Sequence, residues 1–178
     1  MADIPTLREA FIDEIRDIYH AEKQLLKALP KMAGAAANDE LRTALENHLA
    51  ETGNQVSRLE QVFELVGEKP QTKTCAGMAG IIEEGSAVLS EDASSAVLDA
   101  MIIASAQRAE HYEIAAYGTV AAWAEGLGLT DAAELLRETL DEEKAADETL
   151  TAIAEAGINA AATAGAATPG RARTAGRV

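Results

Sequence analysis

Residues 11–29 read FIDEIRDIYHAEKQLLKAL. Phe11, Ile15, Ile18, Leu25 and Leu29 recur at steps of three and four, the spacing that places apolar side chains on one face of a helix. One member of that stripe does not belong in a core: Glu22, at its centre. An amphipathic helix with a carboxylate midway along its buried face bears on both the fold and the chemistry.

Upstream, Thr6 reads as the N-cap, with Glu9 three residues later completing a capping box. Downstream, Pro30 kinks or ends the helix, and the Ala-rich stretch to Ala37 continues it. Asn38 or Asp39 caps a second helix. Leu41, Leu45, Leu49, Val56, Leu59, Val62 and Val66 carry it to Gly67, a natural C′ residue. Glu68 to Thr74 contains Pro70, lacks periodicity and reads as a loop. Met78, Ile81, Ile82 and Leu89 mark a short helix inside this long connection. Asp92 is the expected cap of a third long helix that ends near Gly126. Gly128 marks a tight turn, and Thr130 is the expected cap of a fourth helix that ends near Gly157.

Each long helix spans about 25–30 residues, roughly 40–45 Å. The expected fold is all-α: a ferritin-like four-helix bundle with a long crossover, carrying a short extra helix, between helices 2 and 3. The expected organisation is a bundle over residues 1–156 and a flexible Ala/Gly/Arg tail over 157–178.

Composition agrees. The chain of 178 residues has 30 Asp and Glu against 15 Lys and Arg, a net charge of −15. That field repels polyanions and argues against a nucleic-acid partner, apart from the weakly basic tail with Arg171, Arg173 and Arg177. Aromatics are only 3%, so the core must be aliphatic and Ala-rich. Cys75 is alone, which excludes an intrachain disulfide. With no basic-then-apolar leader and no apolar run of membrane-spanning length, a cytoplasmic protein without a membrane partner is expected.

Acidic residues interrupt the other stripes as well. The third helix carries Ile103, Ala106, Glu110, Glu113, Tyr117 and Val120, with Glu110 and Glu113 one turn apart on the same face. The fourth carries Leu136, Leu140, Glu143, Asp147 and Leu150. The second carries Leu41, Leu45, His48, Thr52, Gln55 and Leu59. Glu51 lies at the edge of that stripe, about 40–60° from its centre at roughly 100° per residue. All these interruptions fall near mid-helix, so several carboxylates should converge in one core. Isolated buried carboxylates are costly. Lys23, Arg58, Arg108 and Lys144 fall on other faces, which leaves protonation or metal ions. Oxygen-rich donors favour Fe, Mn or Mg. The two halves of the chain repeat the pattern, Glu22 with Glu51 and Gln55, then Glu110 with Glu143 and Asp147. A pseudo-twofold dinuclear site is the natural geometry. His48 reads as a buried, hydrogen-bonded histidine, Tyr117 as the tyrosine best placed to hydrogen-bond the site, and Cys75 as an inert loop residue.

The segments IYHAEKQLLKALPKMA (18–33), HLAETGNQVSRLEQV (48–62), QRAEHYEIAAYGT (107–119) and LDEEKAADETLTAIA (140–154) resemble the YciE/YciF family of ferritin-like bacterial stress proteins. The likeness runs from about Thr6 to Glu155. The family is similar to rubrerythrin-type di-iron bundles and is described as ferroxidase-like. The resemblance implies Glu22 and Glu110 as ligands from helices 1 and 3, and Glu51 and Glu143 from helices 2 and 4. Glu113 resembles the extra carboxylate of the rubrerythrin class. The usual Glu-x-x-His pattern is absent, because Asn54 and Ala146 stand at i+3. Gln55 and Asp147 at i+4 are the candidates to replace the histidines.

The expected metal set is therefore Glu22, Glu51, Gln55, Glu110, Glu113, Glu143 and Asp147, holding two iron ions, with manganese or a mixed pair as alternatives. The expected reaction is oxidation of Fe(II) by O2 or peroxide in a homodimeric stress protein. The alternative is a non-catalytic dimeric stress or assembly module with a structural metal or none.

Overall fold

The computed structural model describes residues 4–165. Six α-helices follow in order: α1 Leu7–Ala35, α2 Asp39–Leu65, α3 Ala76–Val88, α4 Ser95–Gly126, α5 Thr130–Ile153 and α6 Asn159–Gly165. A π-helical turn, Ala154–Ile158, joins the last two. Among the described residues no helix is long and apolar enough to cross a membrane.

The four long helices form a bundle whose topology can be read from its core. At one end Phe11, Ile15 and Ile18 of α1 pack with Leu59 and Val62 of α2, Val120 of α4 and Leu136 of α5. At the other end Leu25 and Leu29 meet Leu41, Leu45, Ile102, Ala106, Leu150 and Ile153. Early α1 thus meets late α2 and late α4, while early α5 sits with early α1. The directions are up, down, down, up. Contacts join α1 to α2 and α4, and α5 to α2 and α4. Because α2 and α4 run the same way, the chain must return along the length of the bundle between them. That return is the expected crossover.

The capping signals hold where a side chain supplies the missing acceptor. The Thr6 hydroxyl accepts from the Glu9 amide at 3.2 Å and donates to its carboxylate at 2.6 Å. The Asn38 side chain accepts from Leu41 N at 2.9 Å. Pro30 lies inside α1 without ending it. Gly67 (φ 76°) and Gly128 (φ 72°) take the left-handed conformation that closes each turn. Two caps differ from expectation. Ser94, not Asp92, precedes α4, and Thr130 is the first residue of α5 rather than its cap.

The crossover is pinned to the bundle. Lys73 N donates to Arg16 O at 3.0 Å, and Lys73 Nζ pairs with Asp13 at 2.6 Å. Cys75 is buried, and its sulfur caps α3 by accepting from Met78 N. The Tyr112 hydroxyl stands 3.0 Å from that sulfur and donates to Asp17 at 3.1 Å. Asp99 receives the amides of Ala37 and Asn38, at 2.8 and 3.0 Å, and so ties the α1–α2 turn to α4.

The bundle does not end at residue 156. The chain kinks at Gly157, whose backbone is non-helical (φ 178°), before α6, and Ile158 is buried in the core end formed by Leu29 and Leu41. Of the segment 157–178 expected as a tail, residues 159–165 are helical and Ile158 packs on the bundle. Residues 166–178, including the three arginines, lie outside the described residues.

Candidate metal centre

Between the two apolar ends lies a polar layer. Glu22 of α1, His48 and Gln55 of α2, Glu110 and Glu113 of α4 and Glu143 of α5 are all buried, Glu22, Gln55 and Glu143 completely. Each sits midway along its helix, and the antiparallel neighbours bring those midpoints to one level. His48, Glu110, Glu113 and Glu143 each offer a donor atom within 4.8 Å of one another. His48 Nε2 is 3.4 Å from Glu110 Oε1 and 3.8 Å from Glu143 Oε2.

These side chains are largely unpartnered. Glu22 Oε2, Glu110 Oε2, both oxygens of Glu113 and both of Glu143, Gln55 Oε1 and His48 Nδ1 are buried without a hydrogen bond. Among the described residues one of these carboxylates has support: the Tyr117 hydroxyl donates to Glu22 Oε1. Buried polar atoms left bare on this scale are rare in folded proteins, and each calls for an explanation.

Electrostatics gives the same picture. Burial, reinforced by the Glu143 charge, pushes Glu22 up to about 8, while Tyr117 and His48 pull against it. Burial lifts Glu110 to about 8 and Glu143 to about 9. Glu113 rises well above the ordinary range through burial and the charges of Glu22, Glu143 and Glu110. Burial disfavours a charged His48, but Glu51, Glu143 and Glu22 outweigh it and raise its pKa. Without a cation the layer therefore keeps protons on its carboxyls at neutral pH. A divalent cation would take their place, and the donor set of carboxylates with one imidazole suits a hard or borderline ion.

The structure brings together five of the seven residues singled out from the sequence: Glu22, Gln55, Glu110, Glu113 and Glu143. It does not bring in the other two. The Glu51 side chain is 47% exposed and stands behind His48, its Oε2 3.6 Å from Nδ1. Asp147 receives Gln107 Nε2 at 3.0 Å and stands 3.4 Å from His111 Nε2, on the flank where α4 meets α5. The helical angle already displaced Glu51 from the centre of its stripe. Asp147 follows Glu143 by four residues, and Gln107 holds it to one side.

One residue was placed only in part from the sequence and another was misjudged. His48 belongs to the cluster, and the signal was its place on the inner stripe of α2. The order His48-x-x-Glu51 reverses the familiar motif and so hides the imidazole. Arg58 is buried rather than outward-facing. Its guanidinium reaches α5, bonding Thr139 at 2.7 Å, Glu138 at 2.8 Å and Glu142 at 2.9 Å. Glu142 also receives Gln55 Nε2 at 3.1 Å, so Arg58 helps position Gln55 from outside the layer.

A cavity of about 220 Å³ lies between α2 and α5, with His48, Glu51, Glu110 and Glu142 among its lining residues. It reaches the buried donors His48 and Glu110.

Residues 6–163 match the model of the family described as Domain of unknown function (DUF892). Protein YciF of Escherichia coli (strain K12) is 46% identical over 158 residues, covering 88% of this chain and 95% of that protein. The crystal structure of that stress protein superposes with a TM-score of 0.85, over 88% of this chain and 99% of its own. YcfI from Rhodopseudomonas palustris, provisionally named a structural protein, is 48% identical with a TM-score of 0.82, over 84% of this chain and 95% of its own.

Proposed function

The chain belongs to the DUF892 family, the family of YciF, and from that premise we propose that it binds two divalent metal ions in the polar layer and oxidises Fe(II) with O2 or peroxide. One observation carries the reading: three buried carboxyls and the His48 imidazole converge within 4.8 Å, with buried Glu22 beside Glu113, and most of their donor atoms are unpartnered. Ionised, Glu22, Glu110, Glu113 and Glu143 carry four negative charges, which two divalent cations neutralise. One cation would leave a net charge in an apolar interior, which is costly.

Fe(II) is here both occupant and substrate, and two ions together supply two electrons to the oxidant. Two Fe(II), one O2 and two protons give two Fe(III) and hydrogen peroxide; with peroxide as oxidant the product is water. Glu22, Glu110, Glu113 and Glu143 would hold the ions, with His48 as the nitrogen donor. Gln55 offers a neutral oxygen, and Tyr117 orients Glu22. The carboxyls give up their protons as ions arrive. Glu51, half exposed at the α2–α5 cavity, draws cations toward it.

The test is direct. The purified protein is analysed for metal per chain, loaded anaerobically with Fe(II), then exposed to O2. Near two irons per chain, with ferric absorbance that is lost in Glu22→Ala and Glu110→Ala, is the expected result. No bound metal and no oxidation above the buffer blank refutes the proposal.

The provisional naming of YcfI as a structural protein favours a second reading, a non-catalytic dimeric stress or assembly module. It predicts that one metal ion or none is bound, that any bound ion raises the melting temperature, and that Fe(II) oxidation stays at the blank rate.

A further inference from the structure

A second cavity of about 220 Å³ opens between α1, α3 and α4. Its inner wall is Leu25, Leu29, Ala106 and Ala109, all buried, and it reaches Glu110 of the polar layer. Ile81, Ile82 and Leu89 of the crossover line it while only half buried, so the cavity is not sealed. Lys27 and Lys31, four residues apart on α1, are exposed and complete the lining on the solvent side.

Lys27 and Lys31 belong to the half of the described basic residues that touch no carboxylate. Acids outnumber bases two to one. Arg16, Arg42, Arg58, Lys73, Arg137 and Lys144 each sit against a carboxylate. Among the described residues Lys27 and Lys31 have no such partner. They place two free positive charges at the rim of an apolar hole.

We propose that this cavity binds a small amphipathic anion, a medium-chain carboxylate, with its head against Lys27 and Lys31 and its hydrocarbon end directed toward Glu110. An apolar cavity of about 150 Å³ takes a benzene ring. The larger volume here suits a chain of about eight to ten carbons. The lysine stems line the entrance while their ammonium groups stay in water at the level of the carboxylate. The site differs from the α2–α5 cavity in kind: that one is acidic and suits cations, whereas this one is apolar with a basic rim. Each touches Glu110, so an organic ligand would stop beside the metal layer.

The proposal is tested on the metal-free protein, so it stands or falls separately from iron oxidation. Hexanoate, octanoate, decanoate and decan-1-ol are titrated by calorimetry and by NMR at low ionic strength. Saturable binding of one decanoate per chain is expected, with affinity rising up to about fourfold per added methylene. Decan-1-ol binds more weakly. The double variant Lys27→Gln/Lys31→Gln, which alters only exposed side chains, lowers decanoate affinity about threefold to tenfold. Ala28→Trp, at a half-buried position on the cavity wall, abolishes binding with the circular dichroism unchanged. No saturable uptake by the wild type, or binding indifferent to both variants, overturns the proposal. So does a metal-free dimer that takes up no decanoate and dissociates in Ala28→Trp, because a second copy of the chain then covers the opening.

Discussion

Tyr117 of α4 donates its hydroxyl proton to Glu22 of α1 across the buried layer. Among the described residues this is the one hydrogen bond that a cluster carboxylate receives from a neutral side chain, and it opposes the burial that keeps Glu22 protonated. Tyr117→Phe leaves Glu22 Oε1 bare. The metal-free variant should lose about 1–3 kcal/mol in urea unfolding. Its pH midpoint for Zn(II) or Co(II) uptake should move upward, since Glu22 then ionises less readily. An unchanged midpoint would mean that Tyr117 only packs.

Stability of the metal-free protein should fall as pH rises. Glu22, Glu110 and Glu143 start from an ordinary 4.5 in the unfolded chain and reach about 8, 8 and 9 in the fold. Between those limits the folded state binds more protons than the unfolded one, so raising the pH favours unfolding. This contribution is complete below about 4.5, declines between, and is gone above about 9. Melting temperatures should decline across about pH 5 to 9, and a saturating divalent ion should remove the decline.

Metal binding should expel protons. At about pH 6, below the raised values of Glu22, Glu110, Glu113 and Glu143, each of these groups must lose a proton to bind an ion. Zn(II) titrated into weakly buffered protein with an indicator dye should acidify the solution, and the release should shrink as the pH passes about 9. Uptake without acidification would mean that the ions bind elsewhere.

Single substitutions should separate the layer from its surroundings. Glu110→Ala or Glu143→Ala should weaken metal binding by at least about 100-fold, as loss of a direct donor exceeds the usual cost of an outer partner. Glu51→Ala should cost about tenfold, because Glu51 only backs His48. Asp147→Ala should stay within about threefold, its carboxylate being held by Gln107. Equilibrium dialysis with Zn(II) gives the ranking.

Gly77 marks where the crossover touches the bundle. A Cβ there would lie 2.7 Å from the Tyr112 ring. Gly77→Ala should cost about 1–3 kcal/mol through that overlap. It should also speed amide exchange in α3 more than in α1 or α2. Uniform loss across the molecule would show that α3 is not a separate unit.

Periodicity made the bundle legible, since stripes such as Phe11 to Leu29 survive any rearrangement of loops. Mid-helix polar residues located the layer because four antiparallel helices of similar length align their centres. Other details depended on rotation and reach. Glu51 and Asp147 lie on nearly the right face, but a few tens of degrees turn a donor outward. Arg58 has a stem long enough to bury itself against α5, which no residue-type rule anticipates. Ile158 is one apolar residue in a run of alanines, too little periodicity to announce that the chain packs onward to α6.

The polar layer also fixes how the helices line up along their axes. Ala and Leu pack almost as well one turn up or down, so the two apolar ends alone specify register weakly. Sliding α5 by a turn would bring Glu143 against aliphatic side chains and strip Arg58 of Glu138 and Glu142. The acids thus act as a key that admits one alignment of the bundle, whether or not an ion is bound.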